Sequence, residues 1–458
     1  MEIDNTTLED LAIFNREEKY SVFQLLNFTR TLGGAEKLRK IYATPLTSKD
    51  QILEMQQTIR FITTRLSTWP MEITNGTVMV MDKFFDTHNE PIPGVTGGFS
   101  FINNLYYRII NSGDYSLIRY SVSHFITFLK TFGKLVEHLN APDTPRPLKA
   151  LLDTAQLLLS KRELQDLAGY DPAKRLSFQE VLFFGHALKY RQFQSTNDLM
   201  ALFDQLDAWY SMAVAVQKFG FSFPEFLPDP TPRLEIQGLY HPLLKNPTAY
   251  DVILDQQSNF LFLTGANMAG KSTFIKAVGV AVFLAHIGMG VPSAGMKLTF
   301  FEGLLSNIQV QDNIFLGESY FYNEVQRIKK TILKINDGRR WLILIDELFK
   351  GTNFQDAKTC STIVIEGLIK MQGSLFVLST HLYEIAEELK RYPNISFKYF
   401  ETFVEDETPR YSFQLKDGIS NDRLGFLILK REKVLDLLDE IKNGSAPSRS
   451  DSPDPDDH

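Results

Sequence analysis

The chain holds a single cysteine, Cys360, among 458 residues, so no intramolecular disulfide can form. That fits a reducing compartment, and a cytoplasmic location is the expectation. An excess of positive charge is missing too. The 48 Lys and Arg residues face 55 Asp and Glu, a net charge of −7. Any contact with nucleic acid must therefore come from a local basic surface, not from bulk charge. Long apolar runs are scarce. A long uncharged stretch, Ala277 to Ala294, is interrupted by His286 and several glycines. A membrane span needs about 20 apolar residues, so this stretch reads as a buried helix and its exit, with no membrane role. The opening Met1-Glu2-Ile3-Asp4 has no basic, apolar leader character, and no signal peptide is expected. No internal repeat is found. What remains, 44% hydrophobic and 22% charged, is the composition of a folded chain with room for two or three domains.

Two patterns divide the chain. Up to about residue 225 the apolar residues recur at helical spacing: Val22, Leu25, Leu26; Phe125, Phe128, Leu129, Phe132; and Leu199, Leu202, Phe203, Leu206, Trp209, Tyr210. These stripes read as helix packing. Breaks fall at Pro91 to Gly98, at Ala141 to Pro147, and at Pro224 to Pro232, where four prolines suggest a domain boundary. After Pro232, short β-type runs appear at Phe260–Leu263, Trp341–Ile345 and Leu375–Leu378. Each precedes a polar loop and a helical stretch, which predicts a largely parallel sheet. The tail from Asn443 to His458 is rich in Ser, Pro and Asp. It has no apolar face to bury, and disorder is expected.

The loops after those strands carry the chemistry. Gly265-Ala266-Asn267-Met268-Ala269-Gly270-Lys271-Ser272 fits the G-x-x-x-x-G-K-[ST] phosphate loop, with a strand before it and a helical run after it. Glycines let backbone N–H groups close around phosphate oxygens, and the helix N-terminus adds positive potential. Lys271 then reaches the β- and γ-phosphates of ATP, and the Ser272 hydroxyl binds Mg²⁺. Asp346 and Glu347 end the next apolar run. One carboxylate there can hold Mg²⁺, and its neighbour can polarise an attacking water. The competing explanation is a solvated acidic turn, against which the upstream phosphate loop weighs. Ser379-Thr380-His381 ends the third run, where a histidine can sense or orient the γ-phosphate. A lone histidine is more often structural, so this assignment leans on position.

The block Thr264–Thr273 closely resembles the phosphate loop of the MutS family of DNA mismatch-repair proteins, T-G-P-N-M-G-G-K-S-T, with Ala266 and Ala269 as departures. Asn267 and Met268 are the distinguishing letters. Further matches follow in family order: Ile287-Gly288 with Val291-Pro292, Asp346-Glu347 with Gly351-Thr352, and Ser379-Thr380-His381. Gly317–Glu324 resembles the signature segment G-x-S-x-F-x-x-E, which in the family completes the nucleotide site of the partner subunit. Tyr240-His241-Pro242 resembles the R-H-P that opens the family's ATPase domain, and Leu415–Gly418 its late segment. Tyr250 falls near where the family supports the nucleotide base. Ser21–Leu26, Gly33-Gly34, Leu38 and Pro45-Leu46 resemble, more weakly, the start of the helical core, and Met55–Gln57 fits the helix that follows.

The resemblance implies an α/β P-loop ATPase domain of the ABC type with a mostly parallel sheet, preceded by an all-α core and lever domain. The corresponding division is residues 1–228 helical, 229–442 ATPase and 443–458 disordered tail. It implies ATP and Mg²⁺ as cofactors, with the nucleotide held by residues 265–273 and by Ser319 across a homodimer. It assigns Mg²⁺ to Ser272 and Asp346, and catalysis to Glu347, His381 and Asn267. Double-stranded or branched DNA and repair or recombination proteins are the implied partners. Three functions stay open: a MutS-like DNA-binding ATPase dimer, a similar dimer that remodels a protein partner without DNA, and a generic ABC-type ATPase. Only about eighty residues separate the phosphate loop from Asp346, which argues against a chromosome-binding head. The basic residues Lys161, Arg162, Lys174, Arg175, Lys189 and Arg191 are candidates for DNA phosphates or for a solvated helical face.

Because the resemblance to the helical core begins near Met1, the family's mismatch-reading and connector domains are expected to be absent, and a full DNA clamp is not expected between Gly98 and Leu199. Family members read a mismatch through a Phe-x-Glu pair on their N-terminal domain. Here such triplets occur only at Phe178–Glu180, Phe223–Glu225, Phe300–Glu302 and Phe403–Glu405. DNA contact without a wedge rests on phosphates and shape and is nearly blind to base identity. In a competition at fixed salt, a G·T heteroduplex and its matched homoduplex are expected to differ by less than about threefold, or ~0.7 kcal/mol. A tenfold preference for the mismatch would contradict the expectation.

Overall fold

The computed structural model describes residues 1–15, 17, 20–87, 91–93, 100–171, 176–228, 230–308, 320–405, 408–420 and 433–442. The expected disordered tail, 443–458, lies outside them, as do Gly317, Glu318, Ser319, Lys174 and Arg175. The chain forms two compact units that interleave along the sequence. One comprises Met1–Ile3, Ala12–Phe226 and Val280–Met296; the other comprises Asp4–Leu11, Leu227–Gly279 and Lys297–His458.

Apart from a two-residue strand, β1 (Glu2–Ile3), and the helix α1 (Asn5–Asp10) of the second unit, the chain up to residue 219 is built from helices. They are α2 (Val22–Leu25), α3 (Leu32–Ala43), α4 (Lys49–Thr63), α5 (Asn75–Asp86), α6 (Ser100–Ile110), α7 (Ser112–Leu139), α8 (Arg146–Leu159), α9 (Arg162–Ala168), α10 (Phe178–His186) and α11 (Phe193–Phe219), followed by β2 (Glu225–Phe226). Among the described residues, no helix is long and apolar enough to cross a membrane. Two of the apolar stripes meet: Phe203 of α11 packs edge-on against Phe128 and Phe132 of α7, with centroids 5.8 Å apart in both cases. From Leu206 to Ala213 every residue of α11 is buried. A helix covered all round sits inside its unit.

That central helix carries a buried carboxylate. Asp207 accepts from the backbone N–H of Arg30 at 3.0 Å, the N–H of Thr31 at 2.9 Å and the Thr31 hydroxyl at 2.8 Å. Thr31 in turn accepts from Gly34 N–H at 3.0 Å and caps α3. A negative charge at a helix N-terminus is favoured by the exposed N–H groups and the helix dipole.

The second unit contains the sheet expected from the apolar runs. After β3 (Leu234–Leu239) and β4 (Tyr250–Leu254), an antiparallel pair, come β5 (Phe260–Thr264), the helix α12 (Lys271–His286), β6 (Gly295–Leu298), β7 (Gly303–Asn307), α13 (Tyr320–Ile335), β8 (Trp341–Asp346), α14 (Phe354–Leu368), β9 (Ser374–Ser379), α15 (Tyr383–Leu389), β10 (Ile395–Glu405) and β11 (Thr408–Asp417). Strands lie in the order β7-β8-β9-β5-β10-β11. All neighbours are parallel except β10 and β11. Every residue of β5, β8 and β9 is buried, as continuous apolar strands covered on both faces require. Phe260 stacks on Phe376 at 5.6 Å within a core that also holds Phe262, Trp341, Ile343 and Leu378. Register then fixes the rim. Asp346 pairs with Ser379, and Leu263 pairs with the same serine, so three loops leave the carboxyl edge side by side.

Asp207→Ala is expected to destabilise the protein by about 2–4 kcal/mol, because it strands two buried N–H groups. Asp204 behaves oppositely. Burial first, and then the charge of Asp207, push its carboxyl up to about 6. Between pH 4 and 6 the folded chain therefore holds a proton that the unfolded chain has lost, and stability falls as pH rises through that window. Asp204→Asn is expected to raise stability at pH 7 by roughly 1 kcal/mol. Urea unfolding at pH 4 and pH 7 measures both effects.

Candidate functional site

The loop from β5 to α12 opens at Gly265, whose φ of +135° belongs to the region that L side chains rarely adopt. A β-carbon there would stand 3.2 Å from the Phe400 carbonyl oxygen. Glycine is required on both counts. Met268, at φ +69°, puts its side chain out into solvent. Lys271 begins α12 and is buried. Its ammonium donates to the carbonyls of Gly265 at 2.6 Å and Ala266 at 2.9 Å. Burial pushes its pKa down, against the pull of Glu347 and Asp346. Among the described residues, the ammonium's hydrogen-bond partners are these neutral carbonyls, which an anion can replace.

Asp346 uses both carboxylate oxygens. One accepts from the Ser272 hydroxyl at 2.5 Å, and the other accepts from the Ser379 hydroxyl. Ser272 and Asp346 offer only oxygen donors, the set that Mg²⁺ prefers, so these residues fit the metal. Glu347 follows in a left-handed conformation, φ +62°. Its Oε2 lies 3.2 Å from Lys350 Nζ and 3.5 Å from His381 Nδ1. Burial alone would raise its carboxyl. The hydrogen bond to His381 and the charges of Lys350 and His381 overcome that and bring it down to about 2.

Lys271, Ser272, Thr273 and Glu347 line a cavity of about 390 Å³ with Asn267, Met268 and Gly270. This lies within the size range of small-ligand pockets. The far wall comes from Tyr250 and Phe413. Tyr250 is held edge-on by Phe274 at 5.4 Å and Phe400 at 5.7 Å. Leu244, Asn246, Thr248 and Phe413 also line it and carry no motif. Phe413 has φ +53°, which no residue pattern announces. The structure therefore brings together the residues of 265–273, Asp346, Glu347 and His381; Ser319 lies outside the described residues.

Several basic candidates are engaged internally. Lys161 donates to the Ser195 hydroxyl at 2.6 Å. Lys189 caps the end of α5, donating to the carbonyls of Phe84, Phe85 and Thr87. Arg191 pairs with Glu163 at 3.0 Å. Two of the Phe-x-Glu glutamates are likewise occupied: Glu180 caps α10 through Ser177, and Glu302 pairs with Arg340.

His241 is buried, and burial, then the charge of Lys276, lower its pKa to about 4. Its ordinary value is 6.5. As pH falls from 6.5 to 4 the unfolded chain takes up a proton that the folded chain refuses, so stability is lost across that window. His241→Gln is expected to remove up to about 3 kcal/mol of that loss. Comparing urea midpoints of both proteins at pH 7 and pH 4.5 checks this, and an equal drop in the two would refute it.

Residues 261–442 match the family model described as MutS domain V. The chain is 29% identical over 238 residues to the DNA mismatch repair protein MutS of Thermotoga maritima, covering 51% of this chain and 29% of the relative. It is 31% identical over 210 residues to the protein of the same name from Thermotoga petrophila, covering 45% and 26%. It is 30% identical over 229 residues to MutS protein homolog 4 of Homo sapiens, covering 48% and 24%. The matched part is less than a third of each relative's own length. Together with the phosphate loop, the paired carboxylates and the histidine at adjacent strand ends, these matches support membership of the MutS family, with residues 261–442 matching its domain V.

Proposed function

We propose that this chain is an ATPase of the MutS mismatch-repair type, which hydrolyses ATP at composite sites of a homodimer and reads DNA structure rather than single mismatches. One observation carries the reading: Ser272, Asp346 and Glu347 converge beside the buried Lys271, and His381 touches Glu347. Lys271 exchanges its two carbonyl partners for oxygens of the β- and γ-phosphates. Ser272 and Asp346 hold Mg²⁺, which supplies neutralising charge to the phosphates when bound. Tyr250 and Phe413 cover the base. Asn267, in the loop, faces the phosphates, and Ser319 of a second copy closes the site.

Glu347 orients the attacking water. Held between Lys350 and His381, its ionised carboxylate accepts a hydrogen bond from that water. That suits a loose transition state, in which positioning and charge stabilisation supply most of the rate. The water oxygen bonds to the γ-phosphorus, the bond to the β–γ bridging oxygen breaks, and the water proton ends on the released phosphate. His381 keeps Glu347 ionised and oriented.

A second reading, remodelling of a protein partner without DNA, is favoured by the internal engagement of Lys161, Lys189 and Arg191 and by the net charge of −7. DNA binding measured against salt separates the two, because phosphate contacts release counterions and weaken steeply as salt rises.

Lys271→Met is expected to abolish tight ATP binding. Glu347→Ala is expected to keep binding but slow turnover by ~10² to 10⁴-fold; turnover equal to the wild type would remove Glu347 from this role. Mixing Lys271→Met with Ser319→Ala subunits is expected to restore one intact site per dimer. Activity independent of protein concentration, in a protein that stays monomeric with ATP, would contradict the composite site.

A further inference from the structure

The turn that carries Glu347 is strained. Glu347 has φ +62° and Phe349 has φ +58°, two left-handed non-glycine residues within three positions. Each such residue carries backbone strain and persists only where its surroundings over-determine it. On one side the Glu347 N–H donates to the Ser379 carbonyl at 2.9 Å. On the other side the turn is held by α13.

Glu324, on the first turns of α13, is buried. One carboxylate oxygen accepts from the N–H of Lys350 at 3.0 Å and the other from the N–H of Gly351 at 3.1 Å. The approach is close. A β-carbon at Gly351 would stand 2.6 Å from the Tyr320 ring and 2.8 Å from the Phe321 nitrogen. The Phe321 ring contacts Phe349 at 5.7 Å. Lys350, pinned by its backbone, returns its ammonium to Glu347 Oε2 at 3.2 Å. The helix is itself anchored: Arg327 donates to Asp10 at 2.8 Å, to the Ser306 carbonyl at 2.9 Å and to the Asn307 side chain at 2.7 Å.

We infer that Glu324 is a positioning residue for hydrolysis: its two-pronged grip on the Lys350 and Gly351 N–H groups holds the strained turn in which Glu347 and Lys350 meet. The inference rests on the reading of Glu347 as the group that orients water. Glu324 lines none of the nucleotide cavity, so it acts on the chemical step through the turn and not on nucleotide affinity. Two acceptor oxygens are needed because this one carboxylate partners both N–H groups, in part-buried hydrogen bonds that its charge strengthens. Glutamine at 324 keeps the shape but offers one acceptor and turns an NH₂ toward a donor.

The experiment compares single-turnover hydrolysis of ATP with binding of a non-hydrolysable ATP analogue, in Mg²⁺, for the wild-type chain, Glu324→Gln, Glu324→Ala, Glu347→Ala and the double Ala variant. Glu324→Ala is expected to slow hydrolysis by ~10²-fold, the scale of a misplaced catalytic group. Glu324→Gln is expected to fall between it and the wild type. Analogue affinity stays within about threefold of the wild type in both. The double variant is expected to be no slower than Glu347→Ala alone, since both losses act through one group. Wild-type hydrolysis in the Glu324 variants, a proportional loss of affinity, or additive losses would overturn the inference. Should Glu324→Ala not fold, Glu324→Gln decides it. If Glu347→Ala turns over like the wild type, the reading of Glu347 fails and the inference with it. If Glu347→Ala is slow while the Glu324 variants are fast, only the inference fails.

Discussion

The carboxylate of Asp346 accepts from two hydroxyls, Ser272 on the first turn of α12 and Ser379 at the end of β9. Through this one side chain the end of β8 is tied to the phosphate loop's helix and to the neighbouring strand. The tie is possible only because β5, β9 and β8 lie side by side with Leu263, Ser379 and Asp346 level. A slip of one residue would turn every side chain of a strand to the opposite face of the sheet, taking Asp346 away from both hydroxyls. The aromatic core, with Phe260 on Phe376 and Trp341 beneath, makes such a slip costly. Packing in the middle of the sheet therefore sets the geometry at its edge.

Around that tie the charges are arranged in advance of any ligand. Lys271 is a buried cation held by two carbonyls, and Glu347 is a half-buried anion held by Lys350 and His381. The costs lie in desolvation, and in the left-handed turns at Met268, Glu347 and Phe349. They are offset locally: by the close fit of Gly265 under Phe400, by the Glu347 N–H on Ser379, and by the Glu324 carboxylate under Lys350 and Gly351. These three positions fall in the phosphate loop and the turn after Asp346, where pre-organised geometry matters more than backbone comfort.

The helical unit solves a different problem. Its order comes from apolar stripes that interlock, Phe128 and Phe132 against Phe203, and from one buried carboxylate, Asp207, that holds the entry to α3. Its lysines show how a charge can serve as structure. Lys189 spends its three donors on carbonyls that the end of α5 leaves open, the requirement that every helix C-terminus poses.

Much of this was legible in the residues. Three apolar runs gave β5, β8 and β9, the glycines and Lys271 announced the phosphate loop, and the stripe from Leu199 to Tyr210 announced α11. Those signals are local: side-chain period, turn residues and short fixed spacings. Phe413 on the cavity wall and Asp10 against Arg327 were not legible, and Glu324, the last letter of the signature segment, gave no sign of its grip on the Glu347 turn. Each lies far along the chain from what it touches; Asp10 and Arg327 are separated by 317 residues. The sequence by itself determined the three central strands, the main helical stripes, where the phosphate loop lies and which carboxylates are paired, because near neighbours decide these. Tertiary structure alone decided which distant side chains complete the cavity, which basic residues are spent on internal bonds and which carboxylate supports a strained turn. Those depend on strand order and register, and only the packed sheet supplies them.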